Sequence, residues 1–182
     1  MSDTQHEDYI LEQLNQKPDI HGLLITAIDL IGKSVNKLIM KVFRKERHAI
    51  KFVIPSLIGH KGPLNDLSVR LKLLYALGII SREEYEDIEL LMAILDELEN
   101  DETLYTYTDD EILGPISLLH DMVLPPNLPI TRTATSEVGI VDSMKSSMYS
   151  HRYEQMIRSA LIIAITDLTL RISEKQKHNY FP

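Results

Sequence analysis

The sequence has no cysteine in 182 residues, and that absence removes disulfide frameworks, thiolate metal sites and a cysteine nucleophile together. A reducing compartment is the natural setting. Long apolar runs are missing too. The longest, such as Ala160-Leu161-Ile162-Ile163-Ala164-Ile165, fall far short of the ~20 residues that cross a bilayer. The opening Met1-Ser2-Asp3-Thr4-Gln5-His6-Glu7-Asp8 is polar and acidic, unlike a secretory signal. A cytoplasmic protein away from the membrane is expected. No nucleophile elbow, phosphate loop or dinucleotide fingerprint occurs, and Gly59-His60-Lys61-Gly62 reads only as a glycine-bounded turn. None of the seven histidines stands in a metal-ligand spacing. His120-Asp121 places base and carboxylate side by side, but neighbours on a helix point in different directions, so the pair reads as surface or capping residues. Neither catalysis, metal nor cofactor is expected.

What the sequence has is helical periodicity and an uneven charge. The net charge is −8, unfavourable for general attachment to nucleic acid. From Lys33 to Lys51 the bases Lys33, Lys37, Lys41, Arg44, Lys45, Arg47 and Lys51 face one acid, Glu46. From Ser81 to Glu111 thirteen acids face the single base Arg82.

The apolar spacing predicts an all-α fold: a single multi-helix globular domain over 1–182 with a long C-terminal helix. A short helix is expected from Tyr9 to Asn15, stopped before Pro18. Ile20, Leu24, Ala27, Ile31, Leu38 and Val42 mark a long amphipathic helix, with Lys33, Lys37, Lys41 and Arg44 along one flank. Glu46 to Leu57 continues as helix, bent or stopped by Pro55. Pro63 suits the first turn of the next, whose seam is Leu64, Leu67, Leu71 and Leu74 and whose close is Gly78. Ser81 with Glu84 is a capping box, opening a helix buried through Tyr85, Ile88, Met92 and Leu95, with its carboxylates from Glu83 to Glu89 in solvent. Thr108 with Glu111 repeats that signature ahead of Ile112, Ile116, Leu119 and Val123. Residues 124–148, rich in Pro, Ser and Thr, read as a long loop within the domain. Tyr149 to Lys175 is a final helix, buried all round at its centre, with a buried strand as the competing assignment.

Leu67 to Tyr75, the turn at Gly78 and the helix from Ser81 have the lengths of a helix-turn-helix. A reader of that kind sits between two rows of phosphates, yet its first positions here are Arg82-Glu83-Glu84-Tyr85-Glu86-Asp87. Acids there argue against groove insertion. The better candidate for anion or DNA contact is Lys33, Lys37, Lys41, Arg44, Lys45 and Arg47, which would give phosphate contacts with little base readout.

Phe43-Arg44-Lys45, the run from Gly62 to Leu73, Glu84-Tyr85-Glu86-Asp87 with Glu89-Leu90-Leu91-Met92-Ala93, and the run from Thr108 to Pro115 strongly resemble the mannitol operon repressor family, most nearly its YggD-type branch. The resemblance extends from about Tyr9 to Lys175 and implies an all-helical negative regulator of transcription. Joined to the acidic helix, it points to indirect regulation through a protein partner, a transcription factor or a sugar-phosphotransferase component. Arg70, Lys72, Arg82, Glu86 and Glu89 are the candidate partner surface, since charged side chains in such segments are seldom needed for packing. The alternative is a repressor that binds DNA directly, with low specificity, through the flank 33–47. Self-association stays open.

Overall fold

The computed structural model describes residues 3–43, 46–59, 61–101, 103–126 and 140–176. Among them are seven α-helices, one π-helical segment and no strand. The helices are α1 (Asp3–Asn15), α2 (Ile20–Val42), α3 (Ile54–Ile58), α4 (Leu67–Ala76), α5 (Arg82–Asn100), α6 (Asp110–Ile116) and α7 (Ile140–Lys175).

Helix α2 is the axis of the fold, because its apolar stripe is wide enough to meet several neighbours. Asp19 caps it by accepting from Gly22 N at 2.5 Å. Ile20, Leu23, Leu24, Ala27, Leu30, Ile31, Val35, Leu38, Ile39 and Val42 are all buried. Around it pack α1, α4, α5 and α7, which close one continuous core. At roughly 1.5–3 kcal/mol for each large apolar side chain removed from water, this stripe outweighs any local helix propensity.

Helix α7 settles the strand question in favour of a helix. It buries Ile157, Leu161, Ile162, Ile165, Leu168 and Ile172, and the hydroxyls of buried Thr166 and Thr169 return to Ile162 O and Ile165 O at 2.7 Å each. Burial is not complete round its centre, for Ile163 lies at the surface. The helix opens at Ile140, so the last third of the segment read as loop 124–148 is helical. Residues 127–139 of that segment lie outside those described. Helix α1 likewise starts earlier than expected, at Asp3. Ile10 and Leu14, with half-buried Leu11 beside them, anchor it in the core, which leaves its polar first turns without an apolar period to read.

Three turns differ from expectation. Pro63 precedes α4 instead of opening it: Asp66 is the cap, accepting from Ser68 N at 2.9 Å. The approach to α4 is a tight turn in which Leu64 N bonds Leu57 O, and a Cβ on Gly62 would collide with that same carbonyl. Before it, residues 49–53 form a π-helical segment closed by Ile54 N bonding Ala49 O. Pro55, having no N–H to give, sits in the first turn of α3 and does not end a helix. Finally, α6 stops at Ile116, and its cap Asp109 makes no side-chain cap bond. Thr108 instead meets Thr106. Leu119 reaches the core from a turn, while Val123 is on the surface.

Candidate functional site

The α4–α5 corner is fixed by backbone chemistry. Leu74 O accepts from Ile79 N and Tyr75 O from Gly78 N, each at 2.9 Å, the paired bonds of a Schellman close. Gly78 has φ +69°, a conformation that glycine adopts without cost. Ser81 then caps α5: its Oγ accepts from Glu84 N at 3.2 Å, and Glu84 Oε2 accepts from Ser81 N at 2.7 Å. The corner thus has the chain path expected of a helix-turn-helix.

Its chemistry is different. Two of the carboxylates read as solvated are buried, Glu84 and Asp87. They lie at the head of the buried stripe Glu84, Asp87, Ile88, Leu91 and Ile94, which is rotated from the expected Tyr85, Ile88, Met92 and Leu95. Glu84 Oε2 lies 3.2 Å from Lys175 Nζ, tying the start of α5 to the end of α7. Asp87 Oδ1 accepts from the backbone N of His120 at 3.1 Å and sits 2.7 Å from its Nδ1. Asp87 raises the proton affinity of His120 by that bond, against the opposing effect of burial, and the charges of Asp87, Glu83 and Glu86 add to it. His120 Nε2 is 3.8 Å from Glu86 Oε2. The neighbour Asp121 does not orient His120; it lies 2.5 Å from Arg171 Nη2 without the alignment of a hydrogen bond.

This polar cluster was missed in the sequence because its partners are 33 residues apart for Asp87 and His120 and on three different elements. One signal was available. Glu84 and Asp87 extend Ile88 and Leu91 at helical spacing, so the inward stripe already contained two acids.

The candidate partner residues divide. Arg70 is committed internally: Nε donates to Leu64 O at 2.5 Å and Nη2 to Asn65 O at 2.6 Å, so it holds the turn before α4. Lys72 is exposed. Arg82 is exposed and pairs with Glu86 one turn on, at 2.6 Å. Tyr85 stacks on half-exposed Tyr75, ring centroids 5.0 Å apart, and bonds Glu89, which holds its phenol protonated above the usual range. Glu89 also borders a groove of about 400 Å3 with Ser68, Met92 and Asp96. The corner therefore presents an aromatic stack together with the Arg82–Glu86 pair and Glu89.

The basic flank is partly occupied. Lys33 pairs with Asp29 at 2.6 Å, and Lys41 donates to Gln176 O just past the end of α7, where a cation complements the helix terminus. Lys37 is exposed and makes no ion pair with the described residues, and Arg47 is exposed. Arg44 and Lys45 lie outside the described residues. Among the described residues no cluster of side chains is suited to a metal ion, and no helix is long and apolar enough to cross a membrane.

Comparison with known proteins gives a consistent result. The family model described as Mannitol repressor matches residues 6–173. The chain is 44% identical over 177 residues to the mannitol operon repressor of Escherichia coli strain K12, covering 97% of this chain and 87% of that one. It is 25% identical over 171 residues to Fumarase E of Shigella flexneri, covering 90% and 94%. Among solved structures, the MtlR–HPr complex from Escherichia coli matches with TM-score 0.83 at 44% identity, covering 93% of this chain and 99% of that one. YggD from Shigella flexneri 2a, described as a possible transcriptional regulator, matches with TM-score 0.71 at 24% identity, covering 91% and 97%. That last likeness is one of fold. Sequence identity is thus higher to the mannitol operon repressor than to YggD.

Proposed function

The chain belongs to the mannitol repressor family, and from that premise we propose that it is a repressor-like regulator of transcription working in the cytoplasm by binding another protein. The observation that carries this reading is the start of α5. Glu84 and Asp87 are turned inward and tied to Lys175 and His120. The residues left outward are Glu83, Glu86 and Glu89, with Arg82 already paired. A helix in the major groove needs cations and hydrogen-bond donors at those positions; this one would bring carboxylates to phosphates.

The partner that fits is a component of the sugar-phosphotransferase system, in keeping with the solved complex of the Escherichia coli relative with HPr. Lys72, Arg82, Glu86, Glu89 and the Tyr75–Tyr85 stack form the contact, with Arg70 behind them as a structural clamp. Direct DNA contact through the flank 33–47 is the weaker reading, because Lys33 and Lys41 are already occupied.

We also read the chain as a regulator and not as an enzyme. Asp87 and His120 have the pairing of a base and its orienter, but the space behind Asp87, beside Leu91 and Leu119, is too narrow to admit a water molecule, and the His120 ring lies at the surface, 37% exposed, outside that space. The pair is a tie between α5 and the turn after α6.

Isothermal titration of the purified chain with HPr tests the reading. Saturable binding is expected, weakened about tenfold by Lys72→Glu or Glu89→Lys as for charges at an interface. Absence of binding, or binding untouched by both substitutions, overturns the proposed surface. Fumarate hydration by purified protein that is lost in His120→Asn would overturn the non-enzymatic reading.

A further inference from the structure

The π-helical segment buries none of its side chains. Ile50 is 50%, Phe52 58% and Val53 44% exposed, three large apolar groups within four positions. They are flanked by exposed Arg47, His48 and Lys51. Lys51 Nζ stands 5.2 Å from the Phe52 ring centroid, and the His48 ring is at the same distance, tilted 46°. Phe52 is thus held outward between basic side chains. The segment packs on α3, which is anchored in turn by Ile54 and Ile58. Contiguous apolar exposure of this kind marks an interaction surface, and π-helical turns are frequent at functional positions.

A second open surface on the same chain has the opposite character. Between α5 and α6 runs a groove of about 370 Å3 whose floor includes Leu90, Ala93, Leu98, Ile112 and Pro115 and whose rim carries Glu97, Asp101 and Glu111. No base lines it. Tyr105 Oη donates to Asp101 Oδ2 at 2.6 Å, and Thr103 Oγ1 to Asp101 Oδ1 at 2.7 Å, so the rim is ordered. An apolar floor inside an acidic rim suits an apolar side chain carried between cations.

We propose that the α5–α6 groove of one copy of this chain receives the Ala49–Val53 segment of a second copy, with Phe52 on the apolar floor and Arg47 and Lys51 against Glu97, Asp101 and Glu111. The occupant is a second copy because one chain carries both halves of the match, apolar for apolar and cation for anion, and leaves both open. The contact is heterologous: one patch meets a different patch, so it builds either a closed ring or a growing chain of copies. It differs from the partner surface proposed above, though Ala93 also lines the groove that Glu89 borders.

Sedimentation velocity on the full chain tests this from about 10 µM to about 1 mM, the range for a contact of modest area. The average mass should rise with concentration at low salt and fall as salt approaches about 0.5 M, which screens the rim. Phe52→Asp in the segment and Ala93→Arg in the groove should each weaken association at least about tenfold, with unchanged circular dichroism, since both residues are exposed. An equal mixture of the two variants should regain a dimer, one supplying an intact groove and the other an intact segment. Lys51→Glu and Glu97→Lys should each weaken association alone, and their mixture, in which both contacts are again charge-matched, should recover concentration-dependent association through charge alone. A wild-type chain that stays monomeric throughout, an indifferent Phe52→Asp, or a mixture that fails to pair would overturn the proposal.

Discussion

The coupling between Asp87 and His120 should depend on pH in a definite direction. Asp87 is buried and accepts two bonds from His120, one from its backbone and one from its ring. The ring itself is 37% exposed, so solvent screens its charge and the ring–carboxylate coupling is about 1 kcal/mol, below that of a fully buried pair. The bond to Asp87 raises the His120 pKa above its ordinary 6.5. A group whose folded pKa exceeds its unfolded one contributes stability that is complete below the unfolded value and lost as pH rises through the folded value. The double-mutant cycle of Asp87→Asn and His120→Gln isolates this coupling from the other histidines. Measured by urea denaturation, it should be about 1 kcal/mol at pH 5.5. At pH 8.5 it should shrink to a few tenths, the residue being the neutral Nδ1–H donating to the carboxylate. Equal coupling at both pH values, or coupling that grows with pH, would refute the reasoning.

Three further outcomes are expected. Gly78→Ala places a Cβ in open space but at φ +69°, so it should cost about 1 kcal/mol in urea denaturation from backbone strain alone. Ser81→Ala removes one bond of the capping box and should cost about 1 kcal/mol; Ser81→Asp, which retains an acceptor, should recover most of it. Leu74→Ala, at a fully buried position in α4, should cost about 2–5 kcal/mol by the lost transfer energy and the cavity left, read from the urea midpoint.

Elements with a strong apolar period or a stereochemical stop were legible in the sequence. The extent of α2 follows from the repeat of Ile20 to Val42, and the α4–α5 corner from Gly78 and the Ser81–Glu84 box. Pro63 and Thr108 misled for a shared reason. Each is an acceptable start residue, but Asp66 and Asp109 sit closer to the first helical residue and took the cap position. The Pro55 region was illegible because a π-helical turn has no sequence period of its own. Of the candidate site, exposure of Lys72, Arg82 and Lys37 was readable. The internal bonds of Arg70 and Lys41 were not, since their acceptors are backbone carbonyls whose positions only the fold supplies, whereas the Lys33–Asp29 pair has the four-residue spacing of one helix face and was open to reading. The inward acids of α5 were hidden by composition: five carboxylates in seven residues look like a solvated face, although two of them satisfy partners from α7 and the turn after α6.

A salt-titrated shift assay with purified chain and naked genomic fragments tests the regulatory account most directly. The arrangement of α5 predicts retention no tighter than nonspecific binding, roughly 10⁻⁴ to 10⁻⁶ M at physiological salt, equal across sequences and vanishing as salt rises. Sequence-selective retention at about 10⁻⁸ M or below, persisting at physiological salt, would contradict it.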